Sequence, residues 1–250
     1  MERAGMLNQT ATHERNGGRY HAPRQTRTVT LQSLLQKFGR TTGSDKQLDL
    51  LRAYGAKDVF IHYAGNVDLL SKLAVSIVGT RDISEMGTKR ARKLAAELAD
   101  ADVLVMSGLA KGVDAVAHTS AISAGGSTAA VIGTPLGKAY PAENARLQEE
   151  IYSDHLLLSP FEEGSVVFKA NFPKRNRVMA LLSDATVIVE ASDTSGTLHQ
   201  AAECQRNGRW LFIMKSVAED PGLTWPAKFL HHPKTRVLAS TRELLDALRR

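Results

Sequence analysis

From Ala74 onward the chain alternates between two patterns. Short, nearly unbroken apolar runs recur as AVSIVG (74–79), DVLVMS (102–107), TAAVIG (128–133), HLLLSP (155–160), ATVIVE (185–190), WLFIM (210–214) and TRVLAS (235–240). Between them lie stretches with helical spacing of apolar positions: GTKRARKLAAELADA, GVDAVAHTSAISAGG, AENARLQEEIYS, FPKRNRVMALLSD and SGTLHQAAECQRNG. A last helical stretch, TRELLDALRR, closes the sequence. A strand that is apolar at every position is buried on both faces, and the intervening helices supply the cover. The pattern predicts an α/β domain over residues 74–250, with a doubly wound, mostly parallel, Rossmann-like sheet and helices on both faces.

Upstream, residues 28–73 read as a short N-terminal extension. TLQSLLQKFG and LDLLRAYGA are each spaced as a helix, and DVFIHYAGNVDLL as a strand, a Gly-Asn turn and a short helix. Residues 1–27 are polar and poor in large apolar side chains, which predicts a disordered basic tail. Their Arg-containing, acid-poor composition is also that of an organelle transit peptide.

Composition narrows the function classes. With 250 residues, 43% of them hydrophobic, the chain can build one large core. The net charge is +6, and five Arg against two Glu in the first 30 residues account for +3 of it. The body keeps the other +3, a balance that favours an anionic partner such as nucleic acid. A single cysteine, Cys204, allows no disulfide within the chain, and this fits a reducing cytoplasm. No apolar run reaches transmembrane length, and the first 18 residues lack the apolar centre of a secretory signal. A cytoplasmic protein without membrane contact is expected.

In a doubly wound sheet, ligands bind beyond the carboxyl ends of the strands, so the strand-to-helix turns carry the chemistry. The first turn, GTRDISEMG, offers Arg81. The second, SGLAKGVD, offers Ser107, Gly108, Lys111 and Gly112. The third is GTPLGKAYPAEN. The turn after the fourth run, before the fifth, holds NFPKRNRVMALL (171–182), with Lys174, Arg175 and Arg177 crowded around Asn176. The next, EASDTSGTL, brings Ser195, Gly196 and Thr197 to a helix start. Cations at a helix N-terminus oppose the helix dipole, whereas phosphates are favoured there. Several basic, hydroxyl and glycine turns on one rim therefore point to a phosphate-bearing ligand. A helix beginning near Pro173 has proline at its first position, where it is well tolerated. Phe172 either stacks on a base or seals the core.

Other chemistries are not written here. There is no G-x-G-x-x-G after the first strand, no Walker loop and no H-E-x-x-H. Cys204 and eight scattered histidines show no metal spacing. Asp114 and His118 are four residues apart on a helix, as an acid–base pair or as a local contact. Glu190, at a strand end, is placed to orient Arg81 or Arg177 or to serve as a simple ion-pair partner.

Taken in order, AVSIVGTRDISEMG, SGLAKGVDAVAHTSAI, AVIGTPLGKAYPAEN, LLLSPF and NFPKRNRVMALLSDATVIVEASDTSGTL resemble the DNA-processing protein family DprA, also called Smf, known from natural transformation. The likeness runs from about Val59 to Met214. It implies a Rossmann-like fold that binds single-stranded DNA in a basic pocket. The family's contacts fall on Arg81, on Ser107, Gly108, Lys111 and Gly112, and on Phe172, Lys174, Arg175, Asn176 and Arg177. It further implies homodimers, protection of strands from nucleases, and delivery of the strand to a RecA-type recombinase, without cofactor or catalysis.

The sequence departs from the family in places. About 45 residues between tail and core replace a helical N-terminal domain, and no winged-helix domain is expected after the core. SGTLHQAAECQ stands where the family continues with I-T-A, and KSVAED follows LFIM in place of Pro-Gly. These departures bear on recombinase loading more than on the fold. The alternative is a nucleotide-binding or nucleotide-hydrolysing protein related to phosphoribohydrolases, with a role in defence signalling. Their P-G-G-x-G-T-x-x-E motif is not matched. Glu203 lies six residues after Thr197, roughly 9 Å along a helix, so Glu190 or Asp114 would have to act as acid or base.

Overall fold

The structure, a computed structural model, describes residues 20–40 and 59–249. Strand β1 (Arg27–Thr30) leads into helix α1 (Leu31–Lys37), and β2 (Phe60–Gly65) into a 3-10 turn (Val67–Ser71). The alternating part follows as β3 (Ala74–Val78), α2 (Glu85–Asp100), β4 (Leu104–Ser107), α3 (Val113–Ser123) and β5 (Thr128–Val131). It continues with α4 (Ala145–Asp154), β6 (Leu156–Ser159), α5 (Asn171–Leu182), β7 (Ala185–Ile188) and α6 (Thr197–Arg206). Then come β8 (Trp210–Met214), α7 (Lys215–Ala218), α8 (Trp225–Leu230), β9 (Thr235–Leu238) and α9 (Thr241–Leu248). The expected helix LDLLRAYGA lies outside the described residues.

One sheet has the order β1-β2-β6-β5-β4-β3-β7-β8-β9. Strands β3 to β9 pair in parallel, and β2 runs antiparallel between β1 and β6. All seven apolar runs are therefore strands of a mostly parallel sheet, as their composition predicts. Their side chains alternate between faces. Ala74, Val78, Leu104 and Met106 point to the layer holding α1, α5 and α6, while Val75, Ile77 and Val105 meet α2, α3 and α9. Burying Val178, Met179, Leu181 and Leu182 of α5 under that first layer contributes roughly 1.5–3 kcal/mol each.

The N-terminal extension is part of this sheet. The pairing of β2 with β6 aligns Tyr63 with Leu158 and Gly65 with Leu156. Among the described residues, Tyr20 and His21 already make contacts, inside the stretch whose composition predicts a tail. The Tyr20 hydroxyl donates to the Leu136 carbonyl (2.7 Å), and Gln148 Nε2 donates to Tyr20 (2.8 Å). The Tyr152 hydroxyl donates to the carbonyl of His21 at 2.8 Å. Few apolar residues are needed for such docking, because the contacts are polar ones to α4 and to the loop before it.

His118 is fully buried on α3, with Nδ1 2.7 Å from Thr128 Oγ1. The Thr128 hydroxyl already donates to the Val105 carbonyl at 2.7 Å. His118 must therefore carry its proton on Nδ1, and buried Nε2 has no partner. So His118 is a neutral core group rather than an acid–base partner of Asp114. Burial, chiefly, lowers its pKa to about 3. An unfolded imidazole takes up a proton near pH 6.5. Between those values the unfolded state binds the extra proton, so stability falls as pH drops, by about 1.4 kcal/mol per unit. Wild type should lose about 2 kcal/mol from this group between pH 6.5 and 5, and His118→Gln should not. Equal acid sensitivity of the two urea midpoints would rule this out.

Candidate functional site

Strands β3 and β7 are neighbours, yet the chain leaves β3 toward β4 and β7 toward β8, in opposite directions along the sheet. That divergence opens a crevice at the carboxyl ends of the two strands. Its backbone is laced together: Thr80 N–H donates to the Glu190 carbonyl (2.7 Å), Val113 N–H to Thr80 (3.2 Å) and Thr197 Oγ1 to Gly79 (3.0 Å). Gly112 has φ +74°, and a Cβ there would stand 2.4 Å from the Thr80 oxygen, so the turn before α3 admits no side chain. The crevice holds a cavity of about 330 Å³.

Seven expected residues reach its wall: Arg81, Phe172, Arg175, Asn176, Ser195, Gly196 and Thr197. Helices α5 and α6 point their N-termini at it. Neither start has a side-chain cap, which suits an anion. Helix α5 begins at Asn171, two residues before Pro173. Proline thus occupies its third position, where the missing N–H is still one that no intrahelical acceptor would have met.

Arg175 is 5% exposed and lies in the floor. Its Nη1 donates to the Val131 carbonyl at 3.0 Å, and its Nε is buried without a partner. A Cβ on Gly108 would sit 1.2 Å from Nη1, so this glycine exists to admit the guanidinium. Asp114 is the countercharge. Its carboxylate, 6% exposed, accepts from the N–H groups of Gly108 (3.2 Å) and Ala110 (3.3 Å). Burial pushes the Asp114 carboxyl up and Arg175 pulls it back, while burial lowers Arg175 against the opposing pull of Asp114. Arginine remains charged through such a shift. The floor therefore holds a permanently charged guanidinium paired with the Asp114 carboxyl.

Above it, Arg81 is exposed, with its guanidinium carbon 5.6 Å from the centre of the half-buried Phe172 ring. On the other side Tyr140, 43% exposed, lies 5.5 Å from Phe172 at an interplanar angle of 44°. Phe172 is thus neither a core plug nor a free ring, but the middle of an Arg–Phe–Tyr series. Tyr140 was not singled out from sequence; an aromatic in the third turn of the same rim is the signal that could have found it.

The remaining expected residues play other parts. Ser107 is buried and donates to the Ile77 carbonyl at 2.6 Å, bracing β4 against β3. Gly108 and Gly112 shape the loop behind the cavity. Lys111 pairs with Glu143 at 2.7 Å, outside the wall. Lys174 is exposed beside the opening, also outside the wall. Arg177 turns to α6, its Nη2 2.9 Å from Glu203. Residues 175 and 177 are about 200° apart on a helix, so one facing the cavity forces the other away. Glu190 orients neither arginine. It accepts from Ser84 Oγ (2.8 Å) and backbone N–H (3.3 Å), a carboxylate favourably held at the start of α2. Cys204 is buried bulk, and burial pushes its thiol up to about 12. Among the described residues no cluster of His, Cys, Asp and Glu could hold a metal, and no helix is long and apolar enough to cross a membrane.

Comparison with known proteins identifies the fold and the family. DNA processing protein DprA of Streptococcus pneumoniae is 38% identical over 197 residues, 79% of this chain and 69% of that protein. Its crystal structure superposes with a TM-score of 0.68 at 37% identity, covering 75% of this chain and 65% of that one. Protein Smf of Synechocystis is 35% identical over 192 residues, 75% of this chain and 48% of that protein. The chain thus spans between about half and two thirds of the length of these relatives. The solved structure of DNA processing protein A from Helicobacter pylori, which addresses that protein's single-stranded DNA binding mode, shares the fold. Its TM-score is 0.70 at 24% identity, over 89% of this chain and 96% of that one. The sequence model described as DNA recombination-mediator protein A matches residues 42–248, which hold every strand from β2 to β9 and the whole crevice, and the chain belongs to that family.

Proposed function

We propose that the chain binds single-stranded DNA at the β3/β7 crevice and acts without catalysis, as a mediator of recombination. The observation that carries this is the exposed Arg81–Phe172–Tyr140 series above the buried cation Arg175. A phosphate at the opening meets Arg81 and the starts of α5 and α6. A base meets the rings, where stacking adds roughly 1–3 kcal/mol. None of these contacts reads a base edge, so recognition is tolerant of sequence and sensitive to salt.

In this role the protein covers incoming strands against nucleases and passes them to a RecA-type recombinase, working as a cytoplasmic homodimer and needing no cofactor. The nucleotide-hydrolase alternative is weaker, since Glu190 is tied to Ser84 and Asp114 to the amides of the 108–110 loop.

The test is fluorescence anisotropy with a labelled oligothymidine of about 30 nucleotides against the matching duplex, across a salt series. Wild type should prefer the single strand. Arg81→Ala should weaken it about ten- to a hundredfold, the worth of a charge-assisted hydrogen bond, and flatten the salt slope by about 0.7. Binding indifferent to strandedness and to Arg81 would overturn the proposal. A screen of free nucleotides for hydrolysis would then follow.

A further inference from the structure

A second, larger groove lies on the same rim of the sheet. It has a volume of about 880 Å³ and opens over the carboxyl ends of β8 and β9, between α2 and α9. Five cations line it: Arg90 and Lys93 from α2, Lys215 from α7, Arg242 from α9, and Arg249 just after α9. Lys93 is 3.8 Å from Glu97 and Lys215 is 3.8 Å from Glu219, both helical neighbours. Arg90, Arg242 and Arg249 have no ion-pair partner among the described residues. With Asp246 as the third carboxylate of the lining, the excess is positive. Leu94, Met214 and Leu238 provide apolar surface beneath the cations.

Three features connect this groove to the crevice. The parallel strands put both on one edge of the sheet. The β8/β9 boundary lies two strands from the β3/β7 boundary, on the order of 10 Å at the usual strand spacing. Helix α2 spans the gap, with its start at Ser84 tied to Glu190 beside the crevice and its Arg90 and Lys93 facing the groove.

We infer that this groove carries the sugar–phosphate backbone of the strand beyond the crevice, as a second subsite for single-stranded nucleic acid. The inference rests on the reading of the crevice as a single-strand site. Cations above an apolar floor suit phosphates at the edges and bases lying inward. Among the described residues no aromatic ring lines the groove, so its contribution is electrostatic and independent of base identity.

The consequence is a dependence on strand length. A Lys93→Gln/Arg242→Gln variant changes two exposed side chains that have no part in the core. A thymidine dinucleotide, about 7 Å long at roughly 3.4 Å per nucleotide, occupies the crevice alone, and an oligothymidine of about 20 nucleotides reaches the groove. The variant should bind the short strand as wild type does, since the groove lies beyond the screening length of about 8 Å at physiological salt. It should bind the long strand about tenfold more weakly, with a salt slope lower by about 1.4 for two lost phosphate contacts. Arg81→Ala should weaken both lengths. If the variant binds the long strand like wild type, the groove belongs to another occupant, such as an acidic protein segment, and the inference fails while the crevice stands. Equal weakening of both lengths would also sink it, by showing a diffuse field rather than a path. If wild type binds neither length, both readings fall together.

Discussion

An Arg175→Met variant is expected to lose the DNA site and about 3–5 kcal/mol of stability at once. Removing one member of a buried charge pair leaves the other uncompensated, and losses of that size follow. Asp114 is the group left behind, 6% exposed beneath the 108–112 loop. Met matches the length of the arginine stem, so the cavity term stays small. Urea unfolding and anisotropy on the same preparation would separate this from Arg81→Ala, which should lose binding alone because Arg81 is exposed. Adding Asp114→Asn should return part of the stability, since an amide oxygen can still accept from Gly108 and Ala110, but none of the binding. Gly108→Ala should act like Arg175→Met, because its methyl would occupy the position of the guanidinium. An Arg175→Met protein as stable as wild type, still gripping the single strand, would contradict this account of the floor.

The second large effect is expected at the opposite edge of the sheet. Asp184 accepts from Ala74 N–H at 2.8 Å and pairs with Arg40 Nη2 at 3.1 Å. Arg40 is 4% exposed and also donates to the carbonyls of Leu70 and Lys72. Arg209 reaches the carbonyls of Arg40 and Leu181; burial lowers its pKa, and the charge of Asp184 pulls it back up. One carboxylate thus serves two guanidiniums and fastens the residues that follow α1 to the starts of β3 and β7. Asp184→Ala should cost about 3–5 kcal/mol, or roughly 10 °C in Tm for a chain of this size. Amide exchange of Leu31–Arg40 should rise more than that of β4 and β5, because those residues lose their anchor while the central strands do not. Asp184→Asn should fall between, keeping the Ala74 bond without the charge. A Tm within about 2 °C of wild type would show that the two arginines are solvated in another way.

Much of this molecule is legible in its sequence. The seven strands from β3 to β9 were written as contiguous apolar runs because a strand covered on both faces has no polar side to show. The Gly-Asn turn and the short helix after β2 were legible because turn chemistry is local. The edge pairing of β1, and the docking of Tyr20 on α4, were not. An edge strand is only partly buried, and a single tyrosine hydroxyl leaves no periodic trace.

The same divide runs through the site. The sequence by itself determined the fold class, the basic and glycine-rich turns, and the rim on which they stand, because each depends on local spacing and on the two-face burial of parallel strands. It also determined that Arg175 and Arg177 lie on different faces of α5, from the helical repeat alone. Only the tertiary structure decided which of them lies in the crevice. That choice depends on α5 packing beside α6, where Glu203 takes Arg177, and on Gly108 leaving room beneath for Arg175. It likewise decided that β3 adjoins β7, that Lys111 is drawn off to Glu143, and that Tyr140 stands next to Phe172. Those are meetings of residues far apart in the chain, set by strand order and packing, which no local pattern encodes.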